Sequence, residues 1–368
     1  VKIMSLVPEH IKNLSPYMPG KSISRVKQDL GLKYVIKLAS NENPSGPSPL
    51  ALDAVKNALS DYNRYPDSAA FDLRKMLATR FNVKVENVIL GAGSEGIMST
   101  IMRTFLRKRD EIIAVKNSFI GFRVLANASG FKTNWIAMDN YHYNLASMAK
   151  AINNNTKIIY LANPDNPTGT YFNVKKFDAF MSQVPNRVLV LLDEAYFEYA
   201  KDVLDYPDSM HYRYDNVITL RTFSKAYGLA GFRIGYGFAH EDIINNLMKV
   251  KLPFEPSTPA QIAAIAALND QNYLQSSLKL NKDGIAGMKK LFEEYELDYI
   301  PTVANFLTLV FKNEKSAKSF CKSMLQRGVI LRYLSGFGLP ECVRVTTGTQ
   351  EENTIFFDHI SRIRKKKT

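Results

Sequence analysis

Lys157-Ile158-Ile159-Tyr160-Leu161, running through Ala162 into Asn163-Pro164-Asp165-Asn166-Pro167-Thr168-Gly169, is the stretch that decides the fold. A short run without polar and apolar alternation suits a strand buried on both faces of a parallel sheet, and the Asn, Pro and Gly residues after it stop the strand in a turn. The same pattern recurs upstream at Val88-Ile89-Leu90 and Ile112-Ile113-Ala114-Val115, and downstream at Val188 to Leu192, Val217 to Leu220 and Ile234 to Phe238. Helical patterns separate these runs, so the expected class is an α/β sandwich with helices on both faces of a mainly parallel sheet.

Beyond residue 255 the pattern changes. Pro253, Pro256 and Pro259 interrupt the chain. Helices are then expected over Ala260 to Leu268 and Tyr273 to Tyr295, the second long enough to connect two domains. A strand at Asn305 to Phe311, a helix at Lys315 to Arg327, a strand at Cys342 to Thr346 and a last helix from Gln350 read as a smaller α+β unit. The expected division is therefore an N-terminal arm (1–40) packed on the small domain, a large domain (41–255) and a small C-terminal domain (256–368), which suits 368 residues.

Composition sets bounds on function. With 46% hydrophobic and 23% charged residues the chain has material for a sizeable core. No apolar run approaches the roughly 20 residues that cross a bilayer, and the start carries no secretory pattern, so a cytoplasmic protein is expected. Cys321 and Cys342 form no metal-binding pattern, and no metal is expected. The net charge of +13 is compatible with nucleic acid, an anionic membrane or negatively charged small substrates. Its densest block, Arg362 to Lys367, reads as a solvated tail, and no nucleic-acid-binding module accompanies it.

In an open parallel sheet, ligands bind outside the carboxyl ends of the strands. Three runs end informatively: one in Asn163 to Gly169, one in Asp193-Glu194-Ala195-Tyr196, and one in Arg221-Thr222-Phe223-Ser224-Lys225 followed by Gly228, Gly231 and Arg233. Each has a plain alternative, since Asp193 could be a helix cap, Lys225 a surface lysine and Asn166-Pro-Thr-Gly a turn. Together they offer an amide, a carboxylate, a phenol, an amine and a guanidinium at one edge. A lysine able to form a Schiff base, with a carboxylate to face a pyridine nitrogen, is how proteins hold pyridoxal phosphate.

The order Asn-Pro-x-Asn-Pro-Thr-Gly, Asp-Glu-Ala-Tyr and Ser-Lys-x-x-Gly-Leu-x-Gly-x-Arg resembles the fold-type I pyridoxal-phosphate-dependent aminotransferases across essentially the whole chain. Leu38-Ala-Ser-Asn-Glu-Asn-Pro44, Arg64-Tyr-Pro-Asp67 and Glu341-Cys-Val-Arg344-Val-Thr-Thr-Gly-Thr349 resemble the histidinol-phosphate aminotransferase branch. The resemblance implies a large domain with a mostly parallel seven-stranded sheet. It implies that Lys225 forms the Schiff base, Asp193 pairs with the ring nitrogen, and Asn166 and Tyr196 bond the ring hydroxyl. It also implies a phosphate site from the backbone at Gly93 and Ser94, the hydroxyls of Thr222 and Ser224, and Arg233. Phe119 stands where many members stack a tyrosine on the cofactor, with Phe119 and Phe122 as core residues the alternative. Tyr65 would reach the phosphate from a neighbouring subunit of a homodimer. Asp165 and Ser94 occupy variable positions.

Gly91-Ala-Gly93-Ser94-Glu95-Gly96 also reads literally as a dinucleotide fingerprint. That reading requires an acidic residue near the end of the next strand, where Ala114-Val115-Lys116 stands. On the substrate side the resemblance implies Arg344 for a carboxylate or phosphate, Arg332 as a second guanidinium, Tyr17 in the arm as a phosphate contact, and Asn43. The expected reaction converts L-histidinol phosphate and 2-oxoglutarate to imidazole-acetol phosphate and L-glutamate, in histidine biosynthesis. The alternatives are an aromatic amino-acid (Phe or Tyr) aminotransferase, a phosphothreonine decarboxylase, and a DNA-binding regulator on the same fold, for whose extra domain the chain has no room.

Overall fold

The computed structural model describes residues 6–16, 20–212 and 214–365. Twelve strands form two sheets among these residues. In chain order they are β1 (Ile36–Leu38), β2 (Val88–Gly91), β3 (Glu111–Val115), β4 (Lys132–Ile136), β5 (Thr156–Ala162), β6 (Leu189–Asp193), β7 (Val217–Thr222), β8 (Gly235–Phe238), β9 (Tyr299–Ile300), β10 (Phe306–Val310), β11 (Val329–Tyr333) and β12 (Cys342–Thr346).

Seven of them make one sheet in the order β2-β8-β7-β6-β5-β3-β4. β4, β3, β5, β6 and β7 pair in parallel, while β8 runs antiparallel to both β7 and β2. Every residue of β2, β3, β6, β7 and β8 is buried, as the uninterrupted apolar runs require. One core cluster packs Ile113, Ile159 and Leu191 with Met98, Phe122 and Phe177 of the covering helices. A second, with Leu90, Phe223 and Tyr236, meets Leu73 and Leu77 of the helix Phe71–Arg80 and Ala260 to Leu268 of the helix Thr258–Asn269.

The other sheet has the order β1-β11-β12-β10-β9. β1 pairs in parallel with β11 and so stitches the chain's N-terminal part to its C-terminal part. The helix Gln271–Glu294 spans about 36 Å at 1.5 Å per residue. Its Leu274 belongs to a core of the first sheet, whereas its Met288, Leu291 and Phe292 belong to the core of the second. Asp270 caps it by accepting a hydrogen bond from the Tyr273 amide. No helix among the described residues is long and apolar enough to cross a membrane.

Candidate active site

The parallel strands place their last residues on one edge, and the sheet's registry brings them together. Ala162 of β5 lies opposite Asp193 of β6, and Thr222 of β7 lies opposite Gly235 of β8, which lies opposite Gly91 of β2. A cavity of about 250 Å³ opens there. Gly93, Ser94, Phe119, Asn166, Asp193, Tyr196, Thr222, Ser224, Lys225 and Arg233 all line it, joined by Glu42 and Glu95.

At one end of the cavity the backbone itself is the surface. The helix Gly93–Phe105 begins at the cavity, where its free N–H groups and dipole favour an anion. Gly93 has φ +72°, and a Cβ on it would lie 2.8 Å from Arg233 Nη2. Gly235 is held by space alone, since a Cβ there would lie 2.5 Å from the Ser94 amide nitrogen. Thr222 Oγ1 donates to Ser224 Oγ at 3.0 Å and accepts from the Ser224 amide at 3.1 Å. Arg233 adopts a left-handed backbone (φ 55°), and its guanidinium meets Glu95 at 3.2 Å. Two glycines, a helix start, two hydroxyls and a guanidinium thus form a cradle able to take a phosphate.

At the other end sits Asp193, fully buried. Tyr160 donates to its Oδ2 at 2.8 Å and the Ala195 amide to its Oδ1 at 3.2 Å. Burial pushes its carboxyl up to about 7, so a nearby cation is what would hold it ionised at neutral pH. Lys225 is half-buried. Desolvation, then the charges of Arg344 and Arg233, bring its ammonium down to about 8, against the opposing pull of Glu42 and Asp193. A partly desolvated amine with that titration is available as a nucleophile toward a carbonyl near neutral pH.

Asn166 and Tyr196 stand beside the lysine. Lys225 Nζ lies 5.9 Å from the centroid of the Tyr196 ring, whose hydroxyl accepts a 2.8 Å hydrogen bond from Asn41 Nδ2. Arg344 of β12 crosses from the second sheet, donating through Nη1 to Asn166 Oδ1 and through Nη2 to Ala39 O at 2.8 Å. Arg332 of β11 is its cross-strand neighbour. Two guanidiniums so placed repel each other. The Phe337 ring lies 5.7 Å from the Arg332 guanidinium and 6.0 Å from that of Arg344, offering each a π face. Gly20 of the arm reaches this place, its hypothetical Cβ only 3.6 Å from Arg332 Nη1.

Tyr17 lies outside the described residues, and two further expected residues do not line their own chain's cavity. Tyr65 is 80% exposed and stacks on Phe254 at 4.3 Å, away from its own chain's cavity. Asn43 is not brought to the cavity: its amide donates to Ala226 O at 2.9 Å and Ser277 Oγ at 2.7 Å, tying the chain to the helix Gln271–Glu294. The asparagine that touches the site is Asn41, whose Oδ1 also accepts from Thr346 Oγ1 at 2.9 Å. Tyr160, Glu42 and Glu95 were equally unforeseen. A phenol inside a doubly buried strand was the available signal for Tyr160, because a buried hydroxyl needs a partner.

The family model for aminotransferase class I and II matches residues 33–360. Histidinol-phosphate aminotransferase 1 of Nitrosococcus oceani is 40% identical over 355 residues, which cover 96% of this chain and 95% of the relative. Histidinol-phosphate aminotransferase of Caldicellulosiruptor saccharolyticus is 41% identical over 357 residues, with 96% and 99% covered. Among solved structures, histidinol-phosphate aminotransferase from Sinorhizobium meliloti, in complex with pyridoxal-5'-phosphate, superimposes with a TM-score of 0.90 over 100% of both chains at 26% identity. With the whole cavity edge inside the matched region, the chain belongs to the class I and II aminotransferases, within the histidinol-phosphate aminotransferase family.

Proposed function

We propose that this enzyme transfers the amino group of L-histidinol phosphate to 2-oxoglutarate, giving imidazole-acetol phosphate and L-glutamate, with pyridoxal 5'-phosphate held at Lys225. The carrying observation is that one cavity faces Lys225, the Asp193 carboxylate and the Gly93–Arg233 anion cradle together. The residues present fit the cofactor. Asp193 is a buried carboxylate with hydrogen-bond donors but no bonded cation among the described residues, suited to a protonated ring nitrogen. The space left by Gly93 and Gly235 suits a phosphate.

When bound, pyridoxal phosphate supplies an electron sink that makes the substrate's α proton removable. In this reading the Lys225 amine would hold the cofactor by its aldehyde group and, when free, would take and return the proton of the substrate's α carbon. Asp193 holds the proton on the ring nitrogen. Asn166 and Tyr196 orient the ring through its hydroxyl, and Phe119 covers a ring face. The Gly93 and Ser94 backbone, Thr222, Ser224 and Arg233 bind the phosphate. Arg344 and Arg332 take the anionic group of either substrate, the phosphate of one or the carboxylate of the other. Tyr17 is assigned a phosphate contact from the arm, a role supported by the reach of Gly20 to Arg332.

The same reading makes the protein a cytoplasmic homodimer in which Tyr65, exposed on its own chain, completes the partner's phosphate site. It divides the chain into an arm (1–40), a large domain (41–255) and a small domain (256–368), a division supported by the pairing of β1 with β11. The test is a half-reaction. Histidinol phosphate added to the yellow enzyme should bleach it, and 2-oxoglutarate should restore the colour. Bleaching by phenylalanine or tyrosine but not by histidinol phosphate would reassign the substrate.

A further inference from the structure

Tyr160 lies in β5, within the stretch Ile158 to Ala162 whose other side chains are all apolar and whose every residue is buried. A phenylalanine would fill this position with the same ring and no hydroxyl to desolvate. The hydroxyl therefore needs a local reason, because burying an unsatisfied one costs free energy. The reason is Asp193. Tyr160 is opposite Leu191 in the β5–β6 register, which sets it diagonally across from Asp193 on the same face of the sheet. Its hydroxyl donates to Asp193 Oδ2 at 2.8 Å.

The phenol has little freedom to point elsewhere. The Phe122 ring stacks on it with centroids 3.9 Å apart and planes 8° from parallel. The other titratable groups nearby are already engaged: Tyr143 with Ser118 Oγ at 2.8 Å and the Ala162 amide at 3.1 Å, and Asp165 with Ser118 Oγ at 2.5 Å and Thr168 Oγ1 at 2.8 Å. Burial pushes the Tyr160 phenol well above its ordinary value, so it stays protonated and remains a donor.

We propose that Tyr160 is a positioning residue that fixes the Asp193 carboxylate against the cofactor's ring nitrogen, so that cofactor affinity depends on Tyr160 through that nitrogen. The inference rests on the proposed reading of Lys225 and Asp193. Tyr160 does not itself line the cavity. It holds one carboxylate oxygen in place while the other takes the Ala195 amide, leaving the face toward the cavity for the pyridinium.

The test is a binding titration of the cofactor-free full chain, followed by absorbance. Pyridoxal phosphate is compared with an analogue in which carbon replaces the ring nitrogen. Tyr160→Phe should weaken pyridoxal phosphate about tenfold, as expected for one hydrogen bond to a charged group, and leave the nitrogen-free analogue unchanged. In an Asp193→Asn background the Tyr160→Phe change should add nothing further, since the two residues act as one unit. Equal weakening of both ligands, or additive losses in the double variant, would overturn the inference. So would unchanged pyridoxal phosphate binding by Tyr160→Phe, in a wild type that binds normally. Wild-type protein that binds no pyridoxal phosphate would instead remove the functional reading beneath it. If Tyr160→Phe does not fold, Phe122→Leu loosens the stack while keeping the hydroxyl. It should weaken pyridoxal phosphate by about threefold, a fraction of one hydrogen bond, with the same dependence on the ring nitrogen, and a loss independent of that nitrogen would refute the proposal.

Discussion

Replacing Arg221 by methionine should unfold the cofactor-free protein far more easily at neutral pH than at mildly acidic pH. Arg221 is fully buried on β7, four residues before Lys225. Its Nη2 lies 2.7 Å from Glu194 Oε2 and 2.9 Å from Asp208 Oδ1, its Nε donates to Glu194 at 2.8 Å, and the guanidinium lies 3.3 Å from the centroid of Phe197. Glu194 is 0% exposed and follows Asp193 directly, so the pair clamps the end of β6 to the end of β7 beneath the cavity. Removing one partner of a buried pair leaves an uncompensated charge and costs roughly 3–5 kcal/mol. Burial already raises the Glu194 carboxyl with Arg221 in place, and without that cation it rises further. A carboxyl raised in the folded state binds its proton more tightly there than in the unfolded chain. The stability it permits is therefore full below the unfolded value and is lost as pH rises through the folded one. Urea unfolding at pH 5 and pH 7.5 should show the deficit shrinking at the lower pH. Adding Glu194→Gln should recover at least half of it at the higher pH, where it removes the orphaned charge. A deficit below about 1 kcal/mol, or one independent of pH and not relieved by Glu194→Gln, would refute the clamp, because it falls outside the cost of an orphaned buried charge.

Capture of pyridoxal phosphate by the cofactor-free enzyme should accelerate as pH rises through about 8, as the Lys225 amine loses its proton, and stopped-flow absorbance should follow it. Arg344→Gln removes a cation that lowers Lys225, so the limb should move to higher pH, and KM should rise for both the phosphate-bearing and the dicarboxylate substrate. Gly235→Ala drives a methyl to 2.5 Å from the Ser94 amide nitrogen, so equilibrium dialysis should find pyridoxal phosphate affinity at least about tenfold weaker, with one cradle donor displaced. Glu198 is buried and its carboxyl is pushed up to about 7, chiefly by desolvation. Glu198→Gln should therefore stabilise the cofactor-free protein by roughly 1–3 kcal/mol at pH 8, and the gain should shrink to near zero at about pH 3, below the carboxyl's value in both states.

Which of these residues the sequence exposes follows from where each polar group sits. The strands buried on both faces advertise themselves as continuous apolar runs, and the residues at or just past their ends, Asn166, Asp193, Tyr196 and Lys225, do line one cavity. β4 is different. Lys132-Thr-Asn-Trp-Ile136 is an edge strand, exposed or half-buried throughout, so no apolar run marks it, and the seventh strand of the expected sheet had no assigned segment. Nor does Gly235-Tyr-Gly-Phe238 reveal that it runs against its neighbours, since β8 is as buried as any parallel strand. The choice between Asn41 and Asn43 turns on a backbone detail. Both belong to Leu38 to Pro44, but Asn41 has φ 56° and reaches Tyr196, whereas Asn43 reaches back to Ala226 and Ser277. Arg221 binds carboxylates from two other segments, so no local spacing announces the pair. Tyr160 is the instructive case. Counting it as one more apolar residue is enough to find β5, and that same counting conceals the hydroxyl that Asp193 uses. A polar atom inside a run that must be buried on both sides is better read as a demand for a partner, and the first titratable side chain on the adjacent strand end is where that demand is met.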